Sequence, residues 1–206
     1  MKTKYNFLYE VPDHALPTDY HHNSNVVECV AEIIKKYRSY DEVVCCAEMQ
    51  AGKTNAIKRL IYVISKYNDH IQNLGIDISK YKIYLVICAS SINLKNQLKS
   101  ALPEIKHRIY HLNDINTFLK NPVDHHSTFV EMSDSSLIIF DECHCDAAKD
   151  KLIDKFRKTL DKFRKEFNTM YHKLSVSATP YAQIIAGYPK VILKPAKHYY
   201  GIRQIN

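Results

Sequence analysis

Tryptophan is absent, and only 4 glycines occur in 206 residues. That scarcity excludes collagen-like and glycine-rich low-complexity architectures. No apolar stretch approaches the roughly 20 residues needed to cross a bilayer. The start, Met1-Lys2-Thr3-Lys4-Tyr5-Asn6, has neither an apolar run nor a small-residue cleavage site, so a secretory signal is not expected. The 6 cysteines do not follow the spacing of a disulfide framework. Cys45 and Cys46 are adjacent inside one apolar run and Cys88 sits in another, which predicts buried, reduced thiols. The compartment expected from this is the cytoplasm, or a nucleoid or viral replication site. No internal repeat or low-complexity tract is present.

What remains has the composition of a globular protein, 46% hydrophobic and 25% charged. The length suits one large domain, at roughly 150 residues per domain. Lysine and arginine total 29 against 22 acidic residues, a net charge of +7. That balance permits an anionic partner without proving one.

Periodicity divides the chain into alternating elements. Residues to about Ser24 read as a polar arm. Val26, Val27, Val30, Ile33, Ile34 and Tyr37 recur at helical spacing, with Asn23 or Ser24 as the cap. Residues 42–47 are a short apolar run of the kind that forms a buried strand. Helical spacing returns over 53–67, strand character over 83–89, and helical spacing again from Ile92 until Pro103 stops it. A short strand is expected at 108–112 and a short helix at 113–119. Residues 121–134 carry Pro, Asp, His and Ser and read as a loop. Strands are expected at 137–140, 174–177 and 191–193, with an amphipathic helix over 147–167. Strands alternating with helices predict a three-layer α/β/α domain around a mostly parallel sheet. Such sheets bind ligands beyond the carboxyl ends of their strands.

Three strand ends carry candidate chemistry. After the first strand come Ala47-Glu48-Met49-Gln50-Ala51-Gly52-Lys53-Thr54, the phosphate-loop (Walker A) spacing with Ala47 in place of the first glycine. Gly52 permits a close backbone turn around an anion. A helix starting at Lys53 would aim free N–H groups and a positive dipole end at phosphates. Met49, Gln50, Ala51, Gly52, Lys53, Thr54 and Asn55 are thus the candidate nucleotide cradle. Lys53 would reach the terminal phosphates and the Thr54 hydroxyl would ligate Mg²⁺. After the strand at 137–140 come Asp141 and Glu142, one acid for the metal and one to orient and deprotonate an attacking water. An acidic turn of no further purpose is the plainer alternative. Cys143, His144, Cys145 and Asp146 are poorly spaced for a tetrahedral zinc site. After the strand at 174–177 come Ser177-Ala178-Thr179-Pro180, whose hydroxyls could sense a γ-phosphate or simply form a turn.

Together, Ala47–Thr54, Asp141–His144 and Ser177–Thr179 resemble motifs I, II and III of the superfamily 2 helicases, in the DEAD/DEAH-box-like group with an Asp-Glu-Cys-His variant of motif II. The resemblance covers about residues 20–185, the first of that family's two RecA-like domains. It implies ATP and Mg²⁺ as cofactors and ATP hydrolysis coupled to nucleic-acid binding and unwinding, with DNA expected rather than RNA. Lys53 and Glu142 would be catalytic, Thr54 and Asp141 would hold the metal, and His144, Ser177 and Thr179 would couple nucleotide state to nucleic-acid grip. Ser91 and Gln97 match motif Ia, where they would lie near the nucleic-acid backbone; an ordinary helix cap and a solvated helix face are the alternative.

The chain departs from the family in two places. Tyr20-His21-His22-Asn23 stands where a glutamine motif would read adenine. Only Arg203 follows Ser177–Pro180, although the family completes its site with arginines from a second domain. The layout implied is an arm over 1–22, a RecA-like domain over 23–195, and over 196–206 the start of a linker to a second RecA-like domain, in cis or in a partner chain. The isolated chain is then expected to bind nucleotide weakly, to hydrolyse it poorly and not to unwind a duplex. Two other readings stay open: another phosphate-loop phosphotransferase, and a non-catalytic binding module with a relic ATP site. Lys149, Lys151, Lys155, Arg157, Lys158, Lys162, Arg164 and Lys165 form a basic face on the 147–167 helix, opposite its apolar stripe and interleaved with acids. Such a face is more often solvated than bound to phosphates.

Overall fold

The structure, a computed structural model, describes residues 24–48, 52–76, 81–88, 91–142, 151–179 and 187–195. Six strands form one sheet: β1 Glu42–Ala47, β2 Lys82–Ile87, β3 Ile109–His111, β4 Ser136–Asp141, β5 Tyr171–Ser177 and β6 Lys190–Leu193. Their spatial order is β3-β2-β4-β5-β1-β6, and every neighbouring pair is parallel. The central strands are covered on both faces, which is why they read as continuous apolar runs rather than alternating ones. Each strand therefore needs a helical crossover to return the chain.

The helices α1 Ser24–Lys36, α2 Lys53–Lys66, α3 Asn68–Gln72 and α4 Ile92–Ala101 cover one face. Their apolar stripes pack on Val43, Cys45, Leu85, Ile139 and Leu174. The helices α5 Leu112–Lys120, α6 His126–Ser133 and α7 Lys151–Phe167 cover the other, against Tyr84, Val86, Ile138, Phe140 and Tyr171. Alternate strand residues thus divide between two cores. A three-layer α/β/α body results, with the sheet parallel throughout.

Two expectations are corrected. Residues 121–134 are not all loop, because 126–133 form α6. Its polar sequence hides the periodicity, yet Phe129 and Met132 are fully buried. Phe129 stacks on Phe163 of α7, ring centres 5.3 Å apart, so tertiary packing supplies what local pattern does not. Arg157 does not lie on a solvated basic face. It turns inward, donating from Nη1 to Glu42 Oε1 at 2.9 Å and from Nη2 to Ser175 Oγ at 2.8 Å. Its guanidinium lies 4.2 Å from the centre of the Phe140 ring.

Candidate functional site

Strand order decides which loops meet. β5 lies between β1 and β4 and pairs with both. All three run the same way, so the ends at Ala47, Ser177 and Asp141 open on one edge of the sheet, within two strand spacings of each other. Three segments far apart in sequence become neighbours there.

At the end of β1 the chain reaches Gly52, whose φ of +91° is left-handed. That conformation is cheap for glycine and costly for any residue with a Cβ. Lys53 then opens α2, and no side chain caps its first turn among the described residues. Backbone N–H groups in the first turn of a helix have no intrahelical partner, and such an end can receive an anion. Val26 of α1 stands beside the turn, its Cγ2 3.7 Å from where a Gly52 Cβ would be.

Across the edge, β4 ends at Asp141, and Glu142 turns out of the strand with φ +55°. A left-handed glutamate is strained, and such residues concentrate where geometry serves function. The Glu142 carboxylate receives a charge-assisted hydrogen bond from the Lys53 ammonium. Asp141 Oδ1 accepts the Glu142 N–H at 3.0 Å. Asp141 is 7% exposed. Its burial pushes the carboxyl up to about 6; the Lys53 ammonium and the Glu142 N–H bond pull against this, and the Glu142 carboxylate adds to it.

The site thus presents an ammonium, two carboxylates, a hydroxyl at the exposed Thr54 and the N-terminal end of α2. Hard oxygen donors are what a small divalent cation takes. The Asp141 carboxyl, raised chiefly by its burial, is an oxygen donor that fits such an ion. Thr54 and Asp141 are the residues that would hold it. Bound there, the cation would offset the charge of phosphate oxygens.

The other sequence candidates divide. Met49, Gln50, Ala51 and His144 lie outside the described residues, as does Tyr20–Asn23. Asn55 is half-buried in the first turn of α2. Ser177 is fully buried. By strand alternation its side chain shares the face of Ser175, against α7, whereas Asp141 lies on the α2 face with Ile139. Its Oγ accepts the Thr179 N–H at 3.1 Å, and Thr179 itself is exposed. The structure therefore brings Lys53 into contact with Glu142, beside Asp141, and leaves the Ser177 hydroxyl on the other face of the sheet. Ser91 caps α4, accepting the Leu94 N–H at 3.2 Å, and Gln97 is exposed on that helix.

One polar cluster near this edge was not legible in the sequence. His111 ends β3 and Asp114 lies one turn into α5. Asp114 Oδ2 accepts the His111 N–H at 2.8 Å, contacts His111 Nδ1 at 2.7 Å and pairs with Lys95 of α4 at 2.5 Å. Burial pushes the Asp114 carboxyl up, but the Lys95 hydrogen bond, the His111 N–H and their charges outweigh it and hold it below the usual range. The reciprocal bonding of residues 111 and 114 is a capping box built with His and Asp rather than the common Ser and Glu, which conceals it.

No family model matches the chain. It is similar to the uncharacterized protein L594 of Acanthamoeba polyphaga mimivirus, 58% identical over 202 residues that make up 98% of this chain and 52% of that protein. The chain spans about half the length of this curated relative. Among solved structures it is similar to the DUF1998 helicase MrfA, with a TM-score of 0.53 and 12% identity over 94% of this chain and 32% of that one. The C. elegans protein PCH-2 superposes with a TM-score of 0.41 and 9% identity, over 86% of this chain and 45% of its own. The likeness to MrfA is one of fold: part of that helicase chain is an α/β body like this one.

Proposed function

We propose that the chain is the ATP-binding domain of a helicase or translocase, hydrolysing ATP with Mg²⁺ and coupling that hydrolysis to nucleic acid, DNA before RNA. The observation that carries this reading is the contact between Lys53, at the uncapped start of α2, and Glu142, at the end of β4. Neither residue has a structural need of the other, since each follows its own strand. Their meeting assembles a cation, two acids and a helix N-terminus beyond parallel strand ends, where α/β sheets bind ligands. The fold shared with a helicase supports the same reading.

In this mechanism the Lys53 ammonium and the first N–H groups of α2 bind and orient the triphosphate. A phosphate must displace Glu142 from Lys53. That exchange frees the carboxylate to hold and deprotonate the attacking water. Thr54 and Asp141 would hold the metal, which when bound would supply charge neutralisation. Ser177, buried in β5 between the two catalytic strands, acts through the sheet rather than on phosphate. Residues 23–195 form the domain, and completion of the site falls to a second RecA-like domain reached through 196–206 or supplied by a partner. The mimivirus relative contains about as much chain again as the matched half.

Titration with a fluorescent ATP analogue, with and without Mg²⁺, tests the reading. Removing a charge-assisted contact is worth about 1.5–3 kcal/mol, so Lys53→Ala should weaken binding roughly 10–100-fold. ATPase turnover should rise when single-stranded DNA is added. Equal binding by wild type and Lys53→Ala would sink the proposal.

A further inference from the structure

Cys29 of α1 and Cys45 of β1 place their sulfur atoms 3.7 Å apart in the core between helix and sheet. They are 16 residues apart in sequence. Cys45 is walled in. Cys29, although 2% exposed, also lines a cavity of about 340 Å³ between α1 and β6. Lys36, Lys190 and Lys194 border that cavity, and so do Glu28 and Glu32. It is wide enough for several water-sized molecules. The hydrogen bond with Cys29, together with burial, holds the Cys45 thiol well above its ordinary value, so Cys45 keeps its proton. The two thiols therefore differ: one borders a polar cavity lined by charges of both signs, and the other stands protonated behind it.

We propose that Cys29 and Cys45 are a redox modification site, closing to a reversible disulfide when a small hydroperoxide enters through this cavity. The Cys29 sulfur attacks the peroxide O–O bond, which breaks to leave a sulfenic acid and release water or an alcohol. The Cys45 sulfur then displaces the hydroxyl from Cys29. An S–S bond forms, the S–O bond breaks, and the Cys45 proton leaves with the hydroxyl as water. Two thiols are oxidised and one peroxide is reduced. A dithiol reverses the step by exchange.

Closure needs the sulfur atoms to move from 3.7 Å to about 2.05 Å, a change of roughly 1.7 Å shared between side-chain rotation and a movement of α1 toward β1. Val26 lies one turn before Cys29 and abuts the Gly52 turn. Oxidation therefore presses α1 on the phosphate loop and lowers its affinity for nucleotide. This last consequence rests on the function proposed above; the disulfide itself does not.

The experiment treats the purified chain with hydrogen peroxide, alkylates free thiols, and maps peptides without reduction. The expected result is a Cys29–Cys45 linked peptide that disappears with dithiothreitol and persists in Cys46→Ala. The ligand-free unfolding midpoint should rise on oxidation of wild type, because a cross-link restricts the unfolded chain. That rise should vanish in Cys29→Ala; where that variant does not fold, the oxidised and reduced wild type decide. Recovery of Cys29 and Cys45 as alkylated thiols while Cys46 or Cys88 is oxidised would overturn the site. A cross-linked protein that binds the ATP analogue as tightly as the reduced one would overturn its action on the phosphate loop. A reduced protein with no nucleotide affinity would count against the proposed function alone, since the peptide map still decides the thiol pair.

Discussion

Arg157 offers the sharpest test of the physical account of this fold. Its side chain ties α7 to three strands: β1 through Glu42, β5 through Ser175 and β4 through the face of Phe140. Those are the strands whose carboxyl ends lead to Lys53, Ser177 and Asp141. Arg157 is 16% exposed and Glu42 5%. Replacing Arg157 by Met keeps much of the packing over Phe140 but strands the Glu42 carboxylate. Lys173, 3.7 Å from Glu42, is then its remaining described ion-pair partner. Breaking a buried pair from one side costs roughly 3–5 kcal/mol. With Lys173 still present, the lower end, about 3 kcal/mol, is expected. For a domain of this size that lowers the melting midpoint by roughly 6–12 °C. The double variant Glu42→Gln/Arg157→Met removes both charges, and it should be more stable than the sum of the two single losses by at least about 1 kcal/mol. Urea unfolding followed by circular dichroism measures all four corners of the cycle. A single-variant cost below about 1 kcal/mol, or strict additivity, would refute the claim that this pair is a buried electrostatic unit.

Other outcomes follow from the same structure. Gly52→Ala meets no steric obstacle, since the nearest atom is an ordinary contact at 3.7 Å, but forces a Cβ into a left-handed backbone. A loss of about 1–2 kcal/mol is expected in chemical denaturation, together with weaker nucleotide-analogue binding. Glu142→Gln removes the competitor for the Lys53 ammonium and the water-activating carboxylate at once, so it should retain ATP longer while turnover falls; unchanged retention in a filter-binding chase would count against that role. Asp114 titrates lower folded than unfolded, so its stabilisation is complete above its unfolded value of about 3.9 and is lost as pH falls through the depressed folded value. Asp114→Asn should cost about 1 kcal/mol at neutral pH, by analogy with helix caps, and the gap to wild type should narrow in acid unfolding curves as pH falls below the unfolded value.

The sequence carried much of this in readable form. The runs at 42–47, 83–89 and 137–140 identify themselves as buried strands because both their faces are covered, and the stripes of α1, α2 and α7 because one face is. The Gly-Lys-Thr and Asp-Glu pairs were visible since strand–turn–helix placement gives each a chemical meaning before any contact is known. What local pattern missed has a common cause. α6 is short and polar, and exists because Phe129 finds Phe163. Arg157 reads as one more surface cation until α7 is docked and Glu42 lies beneath it. The Cys29–Cys45 contact and the Lys95–Asp114–His111 cluster join separate elements that no periodicity connects.

By itself, then, the order of residues determined which segments become strands and helices and that their alternation makes a largely parallel sheet, because hydrophobic period and turn chemistry are local. Only the tertiary structure decided that β5 lies between β1 and β4, that Lys53 reaches Glu142, and that the Ser177 hydroxyl faces away from Asp141. Strand order and the face on which a side chain emerges are set by long-range packing of whole layers, and neither is written in any single stretch of the chain.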